Sequence, residues 1–246
     1  GTSQGVPMIG CKCAVCSSTD LKDKRLRSAL MVESDTHRLV IDSGPDFRQQ
    51  MLRENVENLD GIVFTHEHKD HIAGLDDVRA FNYLHGKPMD IYATEAVQTA
   101  LKREFFYIFN GDNYPGIPKI DVHTIKDQPF EASGIKLMPI PVMHMKLPVL
   151  GFRIGGFSYI TDANFISDSS KELLFNSEVL VLNALRREKH ISHFNLEEAV
   201  TLAKELKAKV TYLTHISHQL GKHEKVENEL PASIRLAYDG LKIVID

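Results

Sequence analysis

The sequence predicts an α/β fold in a single domain that spans residues 1–246. Short apolar runs with the length of buried strands alternate with segments of helical periodicity, most clearly between residues 60 and 106. A hydrophobic content of 43% is enough for a sizeable core. The sequence contains no Gly/Ser tract, proline tract, charge block or internal repeat that would mark a linker. One layered domain is therefore the simplest prediction.

The individual strands and helices can be predicted in chain order. Residues 28–33 and 38–42 are expected to form paired strands joined by a turn, and Pro45 begins a helix because proline suits the first helical turn. Asn195 begins the clearest helix, since Glu198 stands three residues later in the capping-box pattern. The other predicted elements are strands at 60–64, 89–93, 135–140, 149–154, 157–161, 178–182 and 209–214, and helices at 74–84, 94–106 and 195–206.

One stretch carries most of the chemical information, the run Thr65–His71 that directly follows a predicted buried strand. His66 and His68 are two residues apart, so an extended backbone places both imidazoles on one face, where they can hold the same cation. Asp70 and His71 follow where the chain turns into a helix, and they can face a second cation. Surface loops do collect histidines, but a full His-x-His-x-Asp-His run after a strand favours a two-metal site.

A further metal site is indicated by the three cysteines of the chain, Cys11, Cys13 and Cys16. An odd number of crowded thiols suits neither a disulfide framework nor a secreted protein. Three thiolates in one tight loop can occupy three corners of a tetrahedral zinc site. The alternative, free thiols packed as small apolar side chains, fits poorly with their polar neighbours. The fourth ligand must come from elsewhere in the chain.

Composition and charge exclude several classes of function. The net charge of −4 argues against a protein that holds long nucleic acid, because phosphate-backbone binding usually needs a basic surface. No apolar run approaches the ~20 residues that span a bilayer. The first residues lack the basic and apolar regions of a signal peptide. The chain is therefore expected to be a soluble, cytoplasmic protein without a membrane partner.

The run Thr65–His71 resembles the motif of the metallo-β-lactamase fold superfamily, whose members carry three further ligands at later strand ends. This resemblance implies a four-layered αββα sandwich, and it identifies His144, Asp162 and His215 as the remaining ligands. It also implies two divalent metal ions in the active site, for which the nitrogen and oxygen donors suit Zn, Mn or Fe(II). The implied ligand sets are His66, His68 and His144 for one metal and Asp70, His71 and His215 for the other, bridged by Asp162.

The resemblance also implies roles for residues around the metals. Asp42, at the end of the second predicted strand, matches an aspartate that orients the metal loop, with a helix cap as the alternative. His193, just before the helix that Asn195 begins, matches a general acid; a surface histidine is the alternative, and His190 is the weaker rival. A metal-bridging hydroxide, with Asp162 and His193 as catalytic residues, would favour hydrolysis of a phosphodiester.

A narrower group is indicated by His218, which lies three residues after His215 and can therefore point to a neighbouring site. A Cys-x-Cys-x-x-Cys loop completed by such a histidine closely resembles the phosphoribosyl 1,2-cyclic phosphate phosphodiesterases of the carbon–phosphorus lyase pathway, over nearly the whole chain. This resemblance implies a small, cyclic phosphodiester substrate and a homodimer. Relatives usually begin with a strand before the Gly-Thr-Ser motif, so a missing amino-terminal strand is expected. The implied structural zinc ligands are Cys11, Cys13, Cys16 and His218.

Two other functions remain open at the level of sequence. A thioesterase of the glyoxalase II type uses nearly the same active-site ligands, and the cysteine site is the feature that favours the phosphodiesterase. A non-catalytic binding protein with a relict metal site would have lost some ligands, and this sequence keeps a candidate for each of them.

Overall fold

The computed structural model describes residues 1–111 and 114–245. The chain forms two compact units. We call Ser28–Leu137 the central unit, and Gly1–Arg27 together with Met138–Asp246 the terminal unit. The single domain predicted from the sequence stays a prediction.

The central unit is built on a mixed sheet. Its strands are β1 (Leu30–Glu33), β2 (Arg38–Ile41), β3 (Gly61–Val63), β4 (Met89–Ala93), β5 (Ile120–Thr124) and β6 (Phe130–Ala132). Its helices are α1 (Phe47–Arg53), α2 (Lys69–Ile72), α3 (Arg79–His85), α4 (Glu95–Glu104) and α5 (Phe106–Phe109). The sheet order is β1-β2-β3-β4-β5, with β1 and β2 antiparallel and the other pairs parallel. The short β6 pairs antiparallel with the first residues of β7 (Ile135–His144).

An apolar core joins this sheet to its helices. Ile62 of β3 and Ile91 of β4 are fully buried, as are Phe47 of α1 and Leu101 of α4. Complete burial of such a side chain contributes about 1.5–3 kcal/mol. The core therefore fixes the carboxyl end of β3, from which the metal-ligand run emerges.

The terminal unit contains a second mixed sheet, to which β7 contributes from Met138 onward. Its other strands are β8 (Leu147–Ile154), β9 (Phe157–Ile160), β10 (Val179–Asn183), β11 (Val210–Thr214) and β12 (Ile234–Leu236), and its helices are α6 (Asp168–Leu174), α7 (Leu196–Leu206) and α8 (His223–Glu227). The order in this unit is β12-β11-β10-β9-β8-β7. Strands β7 to β9 pair antiparallel and β9 to β12 pair parallel. The carboxyl ends of β9, β10 and β11 therefore meet at one edge of the sheet.

The predicted α/β class and most of the predicted elements are confirmed. The capping box at α7 is present, because Glu198 N donates to Asn195 Oδ1 at 2.8 Å and Asn195 N donates to Glu198 Oε2 at 3.0 Å. The helix predicted over 94–106 ends earlier, because Phe105 leaves the helical region with φ −120° and ψ 43°. Sequence reasoning missed β5, β6, β12, α5, α6 and α8, none of which is longer than seven residues.

The helix predicted over 74–84 is wrong in its first turn. Residues Leu75–Val78 form a 3-10 turn, and α3 follows. Gly74 explains the tight entry: its N donates to Ser43 O, and a β-carbon at this position would lie 2.1 Å from Gly44 O. Among the described residues, every helix is too short or too polar to cross a bilayer.

Candidate metal sites

The loop after β3 and the start of α2 carry the four predicted ligands of the central unit. The ring centroid of His66 lies 4.6 Å from that of His68 and 4.2 Å from that of His71. Asp70 Oδ2 lies 3.4 Å from His71 Nε2. His66 and His71 are fully buried, whereas His68 is exposed. The structure thus gathers these four side chains at one strand end.

Asp42 fixes this group of predicted ligands through three hydrogen bonds. It directly follows β2, is completely buried and adopts a left-handed backbone with φ of 67°. Its Oδ1 accepts a hydrogen bond from Thr65 N at 2.8 Å, and its Oδ2 accepts from Thr65 Oγ1 at 2.8 Å and from His71 Nδ1 at 2.7 Å. Helix α1 begins instead after Asp46, so the carboxylate of Asp42 serves the ligand loop and not a helix end.

These bonds select the tautomers of two histidines. Because His71 Nδ1 donates to Asp42, its lone pair is on Nε2. Thr65 Oγ1 has one proton, which it gives to Asp42, so it accepts from His66 Nδ1 at 2.9 Å. Both histidines therefore present a basic Nε2, which is the arrangement that a neutral imidazole needs in order to bind a metal.

The terminal unit brings together His144, Asp162, His193 and His215. Asp162 Oδ1 lies 3.2 Å from His215 Nε2 and 3.9 Å from His193 Nδ1. The rings of His193 and His215 stack with centroids 4.8 Å apart, and the ring of His144 lies 4.5 Å from that of His193. The ligand atoms of His144, Asp162 and His193 lie within 4.8 Å of one another. The predicted general acid therefore lies among the predicted ligands.

The donor set of the terminal unit fits a divalent cation. A metal with oxygen and nitrogen ligands at about 2.0–2.2 Å separates them by about 2.9–3.5 Å, depending on its geometry. The 3.2 Å between Asp162 Oδ1 and His215 Nε2 falls in this interval. His144 is oriented in the same way as the histidines of the central unit, since Nδ1 donates to Ser192 O at 2.7 Å and leaves the lone pair on Nε2.

These predicted ligands lie at strand ends, and two of the residues adopt a strained backbone conformation. Asp162 and His215 follow β9 and β11 with φ of 54° and 53°. A left-handed conformation outside glycine costs on the order of 1 kcal/mol and persists only where the surroundings enforce it. At Asp162 the enforcing residue is Asn183, whose Oδ1 accepts from Ala163 N at 2.8 Å and whose Nδ2 donates to Ala163 O at 2.9 Å.

The same burial changes the acidity of the histidines. Burial lowers the pKa of His193 to about 3; His215 adds to this effect and Asp162 opposes it. Burial, followed by the charge of Arg186, also lowers the pKa of His190. Both imidazoles are therefore neutral at pH 7 in the free protein.

The cysteine loop and His218 form a separate cluster within the terminal unit. His218 Nδ1 lies 3.5 Å from Cys11 Sγ and 3.3 Å from Cys13 Sγ, and the four ligand atoms lie within 4.8 Å of one another. For Zn–S bonds of about 2.3 Å and a Zn–N bond of about 2.05 Å, a tetrahedral site separates sulfur and nitrogen by about 3.6 Å. The cluster therefore has the composition and the size of a structural zinc site.

The cysteines of this loop differ in their pKa values. The backbone N–H of Cys16 and then His218 lower the pKa of Cys13 to about 6. Burial raises the pKa of Cys16 to about 11. A coordinated cation deprotonates such a thiol outright. The pKa of the buried Cys16 would therefore fall furthest on metal binding.

Three residues that hold the ligands were missed by sequence reasoning: Thr65, Asn183 and Ser192. Thr65 stands directly before the first ligand histidine. Asn183 is the single polar residue of the buried strand β10, and this contrast is a signal that could have found it. Ser192 acts through its backbone carbonyl, so its identity carries no such signal.

Comparison with known proteins gives three consistent matches. The family model described as "Beta-lactamase superfamily domain" matches residues 37–216. A diphosphatase from the PhnP family, known from its crystal structure, is 44% identical, with a TM-score of 0.93 over 100% of this chain and 95% of that chain. The zinc-bound PqqB of Methylobacterium extorquens shares the fold at 18% identity, with a TM-score of 0.79 over 100% of this chain and 97% of that chain. These matches confirm the fold class predicted from the metal-ligand motif.

Another relative is named for an activity other than that of a diphosphatase. An octanoyltransferase of Porphyromonas gingivalis is 37% identical over 249 residues, which cover 100% of this chain and 50% of the relative. The chain therefore spans half of the length of this relative.

Proposed function

Because the chain belongs to the beta-lactamase superfamily, we propose that it is a metal-dependent hydrolase of a small phosphodiester, with a cyclic diester as the first candidate. The observation that carries the proposal is the cluster around Asp162 in the terminal unit, where a buried carboxylate lies 3.2 Å from one imidazole and 3.9 Å from another. The full-length likeness to a diphosphatase supports chemistry at phosphorus.

The proposed active-site cofactors are two divalent ions, Zn or Mn, held by the ligands that the superfamily resemblance implies. The hydrogen bonds within each unit support this assignment, since His66, His71 and His144 each present Nε2. When bound, such cations polarise phosphoryl oxygens and make water a better nucleophile near neutral pH. The proposed ligands are His66, His68, Asp70, His71, His144, Asp162 and His215.

The residues of the chain itself orient the ligands and move a proton. Asp42 and the Ser192 carbonyl fix imidazole tautomers. His193 is the proposed general acid, which gives a proton to the leaving oxygen. Burial lowers the pKa of His193, and a phosphate anion next to the ring would favour its charged imidazolium form.

The structural zinc is proposed to pin the amino-terminal segment of the terminal unit. Thr2 N donates to Ile216 O at 3.2 Å, so the segment already contacts the loop between His215 and His218. Four protein ligands leave no open coordination position, which gives this metal a structural and not a catalytic role.

Turnover of bis(p-nitrophenyl) phosphate by protein reconstituted with Zn or Mn tests the proposal. We expect activity that is abolished in Asp162→Ala and reduced at least about a hundredfold in His193→Ala, the range typical of a general acid. Asp168→Ala is the matched control, since the Asp168 side chain is fully exposed. Absence of turnover with both metals verified as bound would refute the phosphodiesterase.

One other function has a specific observation in its favour. The relative from Porphyromonas gingivalis is named for transfer of an octanoyl group, and the predicted alternative was a thioesterase of the glyoxalase II type. Hydrolysis of S-lactoylglutathione or of an octanoyl thioester, in the absence of diester turnover, would select this alternative.

A further inference from the structure

His190 lies in the loop between β10 and α7, three residues before the proposed general acid His193. Its side chain is half-buried, and its ring centroid lies 5.3 Å from that of His193. By its position in the sequence it rivals His193 as an acid, and neither proposed ligand set includes it. The hydrogen bonds of its ring give it a different role.

One ring nitrogen of His190, Nδ1, contacts two polar groups of the same residue, Ser192. Ser192 N donates to this nitrogen at 3.3 Å, and Ser192 Oγ lies 3.1 Å from it. A backbone N–H can only donate, so Nδ1 carries no proton, and the hydroxyl therefore donates to it as well. The neutral imidazole then has its proton on Nε2. The backbone N–H and the hydroxyl of Ser192 are thus both bound to one atom of His190.

The remaining polar group of Ser192, its backbone carbonyl, binds a predicted metal ligand. Ser192 O accepts a hydrogen bond from His144 Nδ1 at 2.7 Å. Because the N–H and the hydroxyl of Ser192 are both bound, the position of its Cα, from which the carbonyl extends, is restricted. Ser192 is only 7% exposed, which limits the access of water to these bonds. A continuous line of hydrogen bonds therefore runs from His190 through Ser192 to His144.

The backbone on either side of His190 is held by other side chains. Arg186 Nη2 donates to Lys189 O at 3.0 Å, and Asn164 Nδ2 donates to Ile191 O at 3.2 Å. Neither bond involves the His190 side chain. Replacement of this side chain should therefore leave the loop folded and act mainly on the next contacts along the line of hydrogen bonds.

We propose that His190 is a positioning residue that acts through Ser192 on the metal ligand His144. This inference rests on the part of the proposed function that makes His144 a metal ligand, and it deepens that function by adding a residue outside the ligand sets. A ligand imidazole is oriented by the partner of its other ring nitrogen, and here that partner is the carbonyl that His190 holds in place. The role uses Nδ1 of His190, whereas a general acid would use the proton on Nε2.

Two substitutions separate these two nitrogens. Oδ1 of asparagine takes nearly the place of Nδ1 and can accept both bonds from Ser192, whereas the amide of glutamine reaches the place of Nε2. We therefore expect His190→Asn to keep the zinc affinity of the wild-type protein. His190→Gln and His190→Ala should each lower it about tenfold, at the lower end of the range for residues behind a metal ligand.

Competition between the metal-free protein and a chromophoric chelator measures the zinc affinity. The cysteine cluster is the internal reference, because its cobalt(II)–thiolate absorption should be equal in all of these variants. Lys189→Ala is the matched control from the same loop, since the Lys189 side chain is exposed and lies next to His190 in sequence. It should match the wild-type protein in both measurements.

A further readout needs no metal. In the metal-free protein the Nδ1–H of His144, bound to Ser192 O, should give a downfield imidazole N–H resonance in the proton NMR spectrum. His144→Gln identifies this resonance by its loss. The resonance should persist in His190→Asn and should broaden by exchange with water in His190→Ala and His190→Gln.

The outcomes separate this inference from the proposed function. An unchanged zinc affinity or an unchanged resonance in His190→Ala overturns the positioning role. Diester turnover that is kept in His190→Gln and lost in His190→Asn also overturns it, because the active atom would then be Nε2. If affinity and resonance change as expected but no diester is hydrolysed with metals bound, the phosphodiesterase fails and the positioning of His144 stands.

Discussion

The carboxylate of Asp42 accepts a hydrogen bond from Nδ1 of His71 at 2.7 Å, with both side chains completely buried. Asp42 is separated from His71 by helix α1 and strand β3 in sequence. This one contact fixes the tautomer and the ring orientation of a predicted metal ligand. Second-layer contacts of this kind fix the orientation of a ligand and raise its basicity.

Asp42→Asn should weaken metal binding about 10- to 100-fold without removing a ligand. An amide offers one acceptor oxygen where Thr65 and His71 need two, so a donor is left facing an NH₂ group. Competition with a chromophoric chelator measures the metal affinity. Asp35→Asn, in the exposed turn between β1 and β2, is the control, and an unchanged affinity in Asp42→Asn would refute the orienting role.

Asn183→Leu should destabilise the protein by about 2–4 kcal/mol, because two buried backbone groups of Ala163 lose their partner. Asn183→Asp should be intermediate, since it keeps the acceptor for Ala163 N. Urea unfolding gives the free energies. Asn228→Leu, on the exposed end of α8, should lie within about 0.5 kcal/mol of the wild-type protein. A similar loss of unfolding free energy in Asn183→Leu and Asn228→Leu would contradict the role of Asn183 in fixing Ala163.

Removal of the proposed structural zinc should loosen the amino-terminal segment selectively. His218→Ala takes away the one nitrogen ligand of the cysteine cluster, and the bound zinc per chain should fall by one. Hydrogen exchange should accelerate in residues 1–27 while α4 keeps its protection. Ser17→Ala, beside the cysteine loop, should leave both readouts unchanged; intact zinc content in His218→Ala would show that the ligand is wrongly assigned.

His223 should make stability depend on pH. It is buried, Arg25 Nη2 lies 3.1 Å from its Nδ1, and burial followed by the charge of Arg25 lowers its pKa. The unfolded chain then binds the proton more readily than the folded one, so stability rises with pH. The contribution of His223 is complete above its unfolded pKa of about 6.5 and is lost as pH falls below that value.

The measurement is the unfolding free energy of the wild-type protein and of His223→Gln between pH 5 and 8. The difference between the two proteins should change below pH 6.5 and be constant above it. His85→Gln, at an exposed position, controls for a general histidine effect. A difference that does not vary with pH would refute the assignment.

Local patterns were sufficient to predict the parts of the site that lie along a single stretch. The run Thr65–His71 and the capping box of Asn195 and Glu198 are such cases. Contacts between distant segments leave no comparable local signal. Asn183 forms two hydrogen bonds with Ala163, and Asn164 Nδ2 donates to Ile191 O. These contacts depend on which strand ends meet, and spacing along the chain does not show this. Strands β6 and β12 were missed because a strand of three residues carries too little periodicity.

The left-handed backbone at Asp42, Asp162 and His215 has a consequence for how variants should be compared. Alanine at such a position removes the functional group but keeps a β-carbon in an unfavourable conformation, whereas glycine removes both. An inactive Asp162→Gly protein should therefore be more stable than an inactive Asp162→Ala protein by about 1 kcal/mol. Selection for a carboxylate or an imidazole at these positions thus acts against the conformational preference of the backbone, and stability screens alone would drive these positions toward glycine.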